Sequence, residues 1–157
     1  YSQRPDVTFG FNNTFNYKGF DLSVFLYARL GQWIAYDYNT TYRINALENG
    51  GNVDYWTPEN PTNAFPCPNK SKSYTQVTYY STLKYEDGSF FKIRDITLGY
   101  TFKPELLKHL NLSKLRVYAT AKNFFTFSKI DNYDPEQGGS ISFPMTKQLV
   151  FGLNVEF

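Results

Sequence analysis

Hydrophobic and polar residues alternate along several separate stretches of this chain. The alternation is clearest at the end of the sequence, where every second residue is apolar: Leu149, Phe151, Leu153, Val155 and Phe157. A period of two places successive side chains on opposite faces of a β-strand, so each such strand has one apolar and one polar face. The same pattern predicts five strands, at about residues 5–17, 20–30, 90–102, 115–127 and 147–157.

The connections between these predicted strands are short and long in turn. A turn at Lys18 and Gly19 joins the first two strands, and residues 103–114 join the third to the fourth with a single helical turn. Residues 31–87 and 128–146 instead form long polar loops. Outer-membrane β-barrels have long extracellular loops and short periplasmic turns, so both long loops are predicted to face the cell exterior.

Two basic residues fall on the apolar side of the third predicted strand. Uninterrupted alternation places Lys92 and Arg94 on the same face as Ile96 and Leu98. A basic side chain costs little at the level of the lipid headgroups. We therefore expect Lys92 and Arg94 at the membrane surface, near the loop end of this strand.

The composition is compatible with a membrane β-barrel. Of the 157 residues 20% are aromatic, which is typical of strands and of membrane interfaces. The mean hydropathy of -0.48 and the lack of any apolar run near the ~18 residues of a membrane helix would ordinarily indicate a soluble protein. The strands of a membrane β-barrel contain no such run, because their apolar and polar residues alternate, so these two values do not exclude a barrel. The net charge of +2 does not point to nucleic acid, and the single cysteine, Cys67, cannot form a disulfide within the chain.

Five strands are too few to close a membrane barrel, which needs about 8 at the minimum. An open sheet in lipid would leave backbone groups unpaired at its edges, at a high cost in free energy. The sequence also begins without an initiator Met or a signal peptide. We therefore expect an all-β, transmembrane antiparallel β-barrel, of which residues 1–157 are a C-terminal segment.

Five blocks of sequence are more specific than the alternation. In order along the chain they are YWTPENPTNAFP, SFFKIRDITLGYTF, LRVYATAKNFFTF, YDPE and FGLNVEF. Together they resemble the C-terminal end of SusC/RagA-type TonB-dependent outer-membrane transporters, over nearly the whole chain. Cys67 departs from this resemblance, because relatives often have a basic residue there.

The resemblance implies the last five strands of a barrel of about 22 strands that is closed by an N-terminal plug. It also implies import of oligosaccharides or peptides with energy delivered through TonB, and a SusD-like surface lipoprotein that covers the extracellular loops as a lid. The plug and the segment that contacts TonB would lie outside this chain.

The closing residues are similar to the signal that the barrel assembly machinery recognises in outer-membrane proteins. In that signal a terminal aromatic residue and apolar residues at alternate positions before it form one ridge, here Phe151, Leu153, Val155 and Phe157. The alternative is an ordinary edge strand of a soluble sandwich. An exposed apolar edge strand would invite aggregation, which favours the assembly signal.

Three aromatic residues of the first long loop, Tyr55, Trp56 and Phe65, are candidates for stacking on sugar rings or for contact with the lid protein. The alternative, which is the more frequent one for any single residue, is that they pack the loop on itself.

The second long loop contains three carboxylates that are weak candidates for a Ca²⁺ site: Asp131, Asp134 and Glu136. They lack the glycine and the ligand spacing of an EF-hand, so we interpret them as loop carboxylates and expect no metal. The single histidine, His109, is predicted at the surface of the turn 103–114. The sequence contains no nucleophile elbow and no phosphate-binding loop, so we expect neither an enzyme nor a cofactor.

The sequence therefore favours TonB-dependent active import of a bulky nutrient, a glycan before a peptide, across the outer membrane of a Gram-negative bacterium. The expected partners are a SusD-like lipoprotein, TonB, the barrel assembly machinery, outer-membrane lipid and the glycan or peptide, without nucleic acid. Two alternatives remain open: a soluble all-β carbohydrate-binding module, and a passive porin that has the same strands without a plug.

Overall fold

The computed structural model describes residues 2–45, 50–71, 82–108 and 111–157, so His109 lies outside the described residues. The elements are β1 Val7–Tyr17, β2 Phe20–Leu30, β3 Trp33–Ala35, β4 Tyr85–Asp87, β5 Phe90–Thr101, α1 Pro104–Leu107, β6 Lys114–Ser128 and β7 Gln148–Glu156. Five strands form one antiparallel sheet in the order β1-β2-β5-β6-β7, and β3 pairs with β4 in a separate ribbon. None of the helices in the described ranges has the length and apolar character needed to cross a membrane.

The sheet is a sequence of neighbouring hairpins, and the tightest one joins β1 to β2. These strands pair without interruption from Val7 and Leu30 to Tyr17 and Phe20. Both turn residues have positive φ, 47° at Lys18 and 89° at Gly19, as two-residue hairpin turns require. A Cβ on residue 19 would lie 2.8 Å from the carbonyl oxygen of Thr101, so glycine also permits close contact with the neighbouring strand.

An irregularity in β5 reverses the faces of its loop end. Ile93 pairs with Leu26 and Asp95 pairs with Phe25, which leaves Arg94 as an extra, bulged residue. A bulge of one residue shifts the alternation by one position. Phe91 and Ile93 therefore share a face with Ile96 and Leu98, while Lys92 turns to the opposite face.

The prediction that Lys92 and Arg94 lie on the apolar face is wrong. The Lys92 side chain is 0% exposed and bonds to two carboxylates. The Arg94 guanidinium lies 5.3 Å from the ring of Tyr27, which is on the polar face of β2. The prediction failed because it assumed uninterrupted alternation through the bulge.

One face of the five-stranded sheet, here called the apolar face, is covered by exposed apolar side chains from every strand. Representative residues with their exposed fractions are Phe15 59%, Phe20 52%, Leu98 51%, Phe127 58% and Phe151 76%. Aromatic pairs lie at both of its ends: Phe20 and Tyr100 have ring centroids 4.6 Å apart at the turn end, and Phe91 and Phe127 are 6.1 Å apart at the loop end. A continuous apolar surface of this kind is not stable in water, so it requires an apolar solvent or a partner.

The opposite face, here called the polar face, carries an ion pair that spans three strands. Arg116 of β6 donates two hydrogen bonds to Asp21 of β2, of 2.9 Å from Nε and 2.5 Å from Nη2. Gly99 of β5 lies between them, and a Cβ there would be 2.5 Å from both Arg116 Nη2 and Asp21 Oδ1. The ion pair therefore depends on a residue without a side chain on the intervening strand.

Replacing Gly99 with alanine is expected to weaken the sheet, because the new methyl group would separate Arg116 from Asp21. We expect a loss of about 1–3 kcal/mol in the free energy of unfolding, measured by urea titration of the full-length protein in lipid vesicles. Gly10→Ala is the matched control: it lies on the same polar face, and its nearest neighbours would be 3.7 Å away. Equal losses in the two variants would contradict the role of Gly99.

Candidate functional site

The described parts of both long loops meet at one end of the sheet. The backbone N–H of Asp37, which follows β3, donates to the carbonyl of Gly139 in the second loop at 2.9 Å. The N–H of Tyr36 donates to the carbonyl of Lys84, just before β4, at 2.7 Å. The first bond joins the β3–β4 ribbon to the loop 128–146 and the second extends the pairing of the ribbon, so the loop-bearing end is a structured surface.

The YDPE sequence forms a short turn whose first carboxylate has two roles. A 3-10 helix runs from Pro135 to Gln137, and Asp134 caps its start because Oδ1 accepts from the N–H of Glu136 at 3.0 Å. The other oxygen of Asp134 accepts from Lys92 Nζ at 2.6 Å. Gly138 ends the turn in the left-handed region at φ 69°.

Lys92 holds this turn against the sheet. Its ammonium donates to Asp134 and, at 2.8 Å, to Glu136 Oε2, and it lies 5.7 Å from the ring of Phe90. Glu136 also pairs with Arg94 at 3.0 Å. A buried charge is stable only when opposite charges and hydrogen bonds surround it, so removing one member is far more costly than losing a surface pair. We call this group, Lys92 with Asp134 and Glu136, the Lys92 anchor.

Close backbone contact reinforces the Lys92 anchor. Pro135 is among the most deeply buried side chains of the described residues. Gly139 has φ 97°, and a Cβ there would lie 2.2 Å from the carbonyl oxygen of Ala35. The second loop therefore passes directly over the end of β3, and only glycine fits at the crossing.

The three carboxylates of the second loop have different surroundings. Asp134 and Glu136 form ion pairs with Lys92 and Arg94, whereas Asp131 is exposed. Within the described ranges no group of three or more Asp, Glu, His or Cys side chains is arranged to hold a metal ion.

The three loop aromatics differ in their surroundings. Phe65 is 7% exposed and packs with Tyr42 and Ile44, with its ring 5.1 Å from that of Tyr42. Trp56 and Tyr55 are 44% and 41% exposed. Phe65 thus packs inside its own loop, while Tyr55 and Trp56 keep surface that a ligand or a partner protein can reach.

A cleft of about 250 Å³ that we did not predict from the sequence lies between the two loops. Its lining includes Tyr36, Tyr38 and Asn39 from the segment after β3, and Asp131 and Asn132 from the second loop. The rings of Tyr36 and Tyr38 are 5.8 Å apart. A cluster of tyrosines in YDYNTTY was the available signal, but only the folded chain brings it to the second loop.

Hydrogen bonding and burial set the ionisation of groups near this cleft. Hydrogen bonds from Ser89 and Lys129 lower the pKa of Asp87 to about 2, and a hydrogen bond from Asn60 lowers the pKa of Asp54. Burial raises the pKa of Tyr36, an effect that the nearby side chain of Asn132 partly offsets. Both carboxylates are therefore ionised at neutral pH, whereas the Tyr36 hydroxyl keeps its proton.

Comparison with known proteins gives closely agreeing results in sequence and structure. No model of a protein family matches the chain. TonB-dependent receptor P3 of Formosa agariphila is 28% identical over 98% of the chain, and TonB-dependent receptor SusC of Bacteroides thetaiotaomicron is 30% identical over 97%. The structure of the RagAB peptide transporter matches 99% of the chain with a TM-score of 0.79 and 26% identity. The chain belongs to the SusC/RagA type of TonB-dependent receptors.

A second likeness agrees with this assignment: the RagAB peptide importer in its closed-closed state matches 99% of the chain with a TM-score of 0.78 and 27% identity. The chain spans only 15–16% of the length of the P3 and SusC relatives, and 18% of the RagAB chains. The five-stranded sheet of this SusC/RagA-type segment is accordingly a piece of barrel wall, and the loops described above rise from one rim of it.

Replacing Lys92 with methionine is expected to release the loop 128–146, because Asp134 and Glu136 would lose their buried cation. We expect trypsin cleavage after Lys129 to accelerate at least about tenfold, since local opening governs access of a protease to a folded loop. The measurement is limited proteolysis of the full-length protein in detergent, followed by mass spectrometry.

Lys122→Met is the matched control for this variant. Lys122 also lies on the polar face, but it is 47% exposed and its contact with Asp95 is 3.8 Å long, so cleavage should change little. Equal acceleration in both variants would contradict the Lys92 anchor.

Proposed function

We propose that this segment forms part of the wall and the outer rim of a receptor that imports a bulky nutrient across the bacterial outer membrane in a TonB-dependent cycle. The observation that carries the proposal is the match of nearly the whole chain to TonB-dependent receptors, together with its structural likeness to the RagAB peptide importer. The physical step in such a cycle is displacement of a plug, and no bond chemistry is required.

The two faces of the sheet support this proposal. Membrane barrel strands need about 9 to 11 residues to cross the hydrocarbon layer, and β1 and β2 have 11 residues each. In the proposed orientation the apolar face contacts lipid and the polar face lines the interior. The remainder of a barrel of about 22 strands, the plug and the TonB-contacting segment would belong to the rest of the receptor.

The loop-bearing rim is proposed to face the cell exterior and to meet a SusD-like lipoprotein. The Lys92 anchor favours this role, because a lid protein requires a rim of fixed shape. Exposed aromatic rings at Tyr55 and Trp56 suit either contact with that lid or stacking on cargo. A glycan is the preferred cargo. A peptide is the second candidate, and the likeness to the RagAB peptide importer is the observation in its favour.

The other two functions receive less support. A soluble carbohydrate-binding module would have to expose the apolar face to water. A passive porin would share the sheet, but the relatives that match this chain carry the name of TonB-dependent receptors.

We further propose that the closing residues act as the barrel-assembly signal. Phe151, Leu153 and Val155 lie on the apolar face of β7, which pairs with β6, and Phe157, which is 94% exposed, follows them in the same alternation. Deleting Phe157 should lower the amount of receptor inserted in the outer membrane at least about threefold without changing its synthesis. Glu156→Gln, one position earlier on the other face, is the control, and normal insertion of the deletion variant would contradict the proposal.

The import proposal is tested by uptake into cells whose full-length receptor carries this sequence, with and without functional TonB. Labelled neutral oligosaccharides and short peptides are supplied separately. We expect oligosaccharide accumulation that falls at least about tenfold when TonB is absent. Accumulation that does not depend on TonB would contradict active import and favour a porin, and accumulation of peptides alone would contradict the glycan cargo.

A further inference from the structure

The apolar face carries a groove of about 270 Å³ in the half of the sheet nearest the turns. Four strands contribute to its lining: Phe20 from β2, Leu98 and Tyr100 from β5, Val117 and Ala119 from β6, and Phe151 from β7. The strand pairing explains the groove, because Leu98, Ala119 and Phe151 lie side by side in one row across the sheet. A small side chain between two large ones leaves a depression over Ala119, with β5 and β7 as its walls.

The groove lies within reach of only one leaflet of a bilayer. Phe20 directly follows the hairpin turn, and Tyr100 pairs with it. Leu98 and Ala119 are two residues further from the turns along their strands, a rise of about 7 Å. The hydrocarbon core of a bilayer is about 30 Å thick, so each leaflet contributes about 15 Å. In the proposed orientation the turns face the periplasm, and the groove therefore opens into the periplasmic leaflet.

Positive charge is in excess at the turn end of the sheet. Among the described residues there, three lysines have no carboxylate partner: Lys18, Lys103 and Lys108. The other basic side chains of this end are neutralised in the ion pairs Lys114–Glu156 and Arg116–Asp21. Glu105 is the one carboxylate side chain described at this end outside those pairs. An anionic headgroup is therefore attracted to the turn end.

Two of these lysines lie just beyond the groove along the chain. Lys18 is the first residue of the turn between β1 and β2, and its ammonium lies 5.1 Å from the ring centre of Tyr17. The turn is held to β5 by a hydrogen bond of 2.7 Å from the N–H of Thr101 to the carbonyl of Gly19. Lys103 follows two residues after Thr101. Lysines near a membrane surface extend along apolar surface and place their ammonium groups among the headgroups.

We propose that the turn end of the apolar face binds one anionic phospholipid of the periplasmic leaflet, with an acyl chain in the groove over Ala119 and its phosphate against Lys18 and Lys103. The apolar lining accepts the chain, and the unpaired lysines select an anionic headgroup over a zwitterionic one. The proposal rests on the outer-membrane orientation proposed above. It adds a preference for one class of lipid, which import of a nutrient does not require.

The test is native mass spectrometry of the full-length receptor in detergent after incubation with three lipids, one at a time. Phosphatidylglycerol and phosphatidylethanolamine with identical palmitoyl and oleoyl chains compare headgroup charge, and lipid A represents the outer leaflet. Lys18→Gln and Lys103→Gln each remove one charge beside the groove, and Ala119→Phe fills the groove. Melting temperatures of all variants establish that each is folded.

Each kind of change has a matched control at the loop end of the sheet. Lys147→Gln removes the charge of an exposed lysine whose ammonium lies 5.9 Å from the ring centre of Phe124. Val7→Phe adds a ring at an exposed position of the apolar face, at the end of β1 farthest from the turn. If Ala119→Phe does not assemble, the two lysine variants still decide the proposal.

We expect one phosphatidylglycerol to be retained at least about tenfold more tightly than phosphatidylethanolamine or lipid A, because each lysine near the headgroup contributes about fivefold. Each lysine variant should weaken phosphatidylglycerol binding about fivefold. Ala119→Phe should weaken the binding of both phospholipids, and the two controls should change neither.

The lipid site would be overturned by equal retention of the two phospholipids, by preferential retention of lipid A, or by no retained lipid. It would also be overturned if the two lysine variants or Ala119→Phe left the affinity unchanged, or if the controls lost as much. TonB-dependent uptake by a receptor without this lipid preference would reject the lipid site and leave import standing. A selective lipid site in a receptor without TonB-dependent uptake would reject import and keep the lipid site.

Discussion

The structure depends on a separation of two environments across one sheet. Each strand places alternate side chains on the apolar and polar faces, and every pairing from β1 to β7 keeps those faces aligned. The outer edges of β1 and β7 have no strand partner within the described residues. Because unpaired backbone is costly in lipid, the sheet is stable there only as part of a closed barrel, which agrees with relatives about six times as long as this chain.

The bulge at Arg94 links the wall to its rim. By shifting the alternation of β5 one position, it turns Lys92 from the apolar face to the polar face, where the YDPE turn supplies two carboxylates. The same turn is capped by Asp134 and crosses the β3–β4 ribbon at Gly139. One inserted residue thus places Lys92 where it can hold the second loop against the sheet.

The sequence allowed the five long strands and the alternation of short and long connections to be predicted, because a period of two is a local signal. The orientation of Lys92 could not be predicted, since the bulge is visible only in the pairing with β2 and β6. The β3–β4 ribbon was missed because its strands have three residues each and lie far apart in sequence. The Tyr36 cleft was missed for a similar reason: its walls come from two separate loops.

Spin labels along β5 test the central claim most directly, in the full-length receptor with Cys67→Ser in lipid vesicles. Nitroxides at Phe91, Ile93, Ile96 and Leu98 should all collide with dissolved oxygen and not with a water-soluble nickel complex, because the bulge brings all four to the lipid side. The account would be contradicted if the labels at residues 91 and 93 collided with the nickel complex while those at 96 and 98 collided with oxygen. It would also be contradicted if all four labels were accessible to nickel.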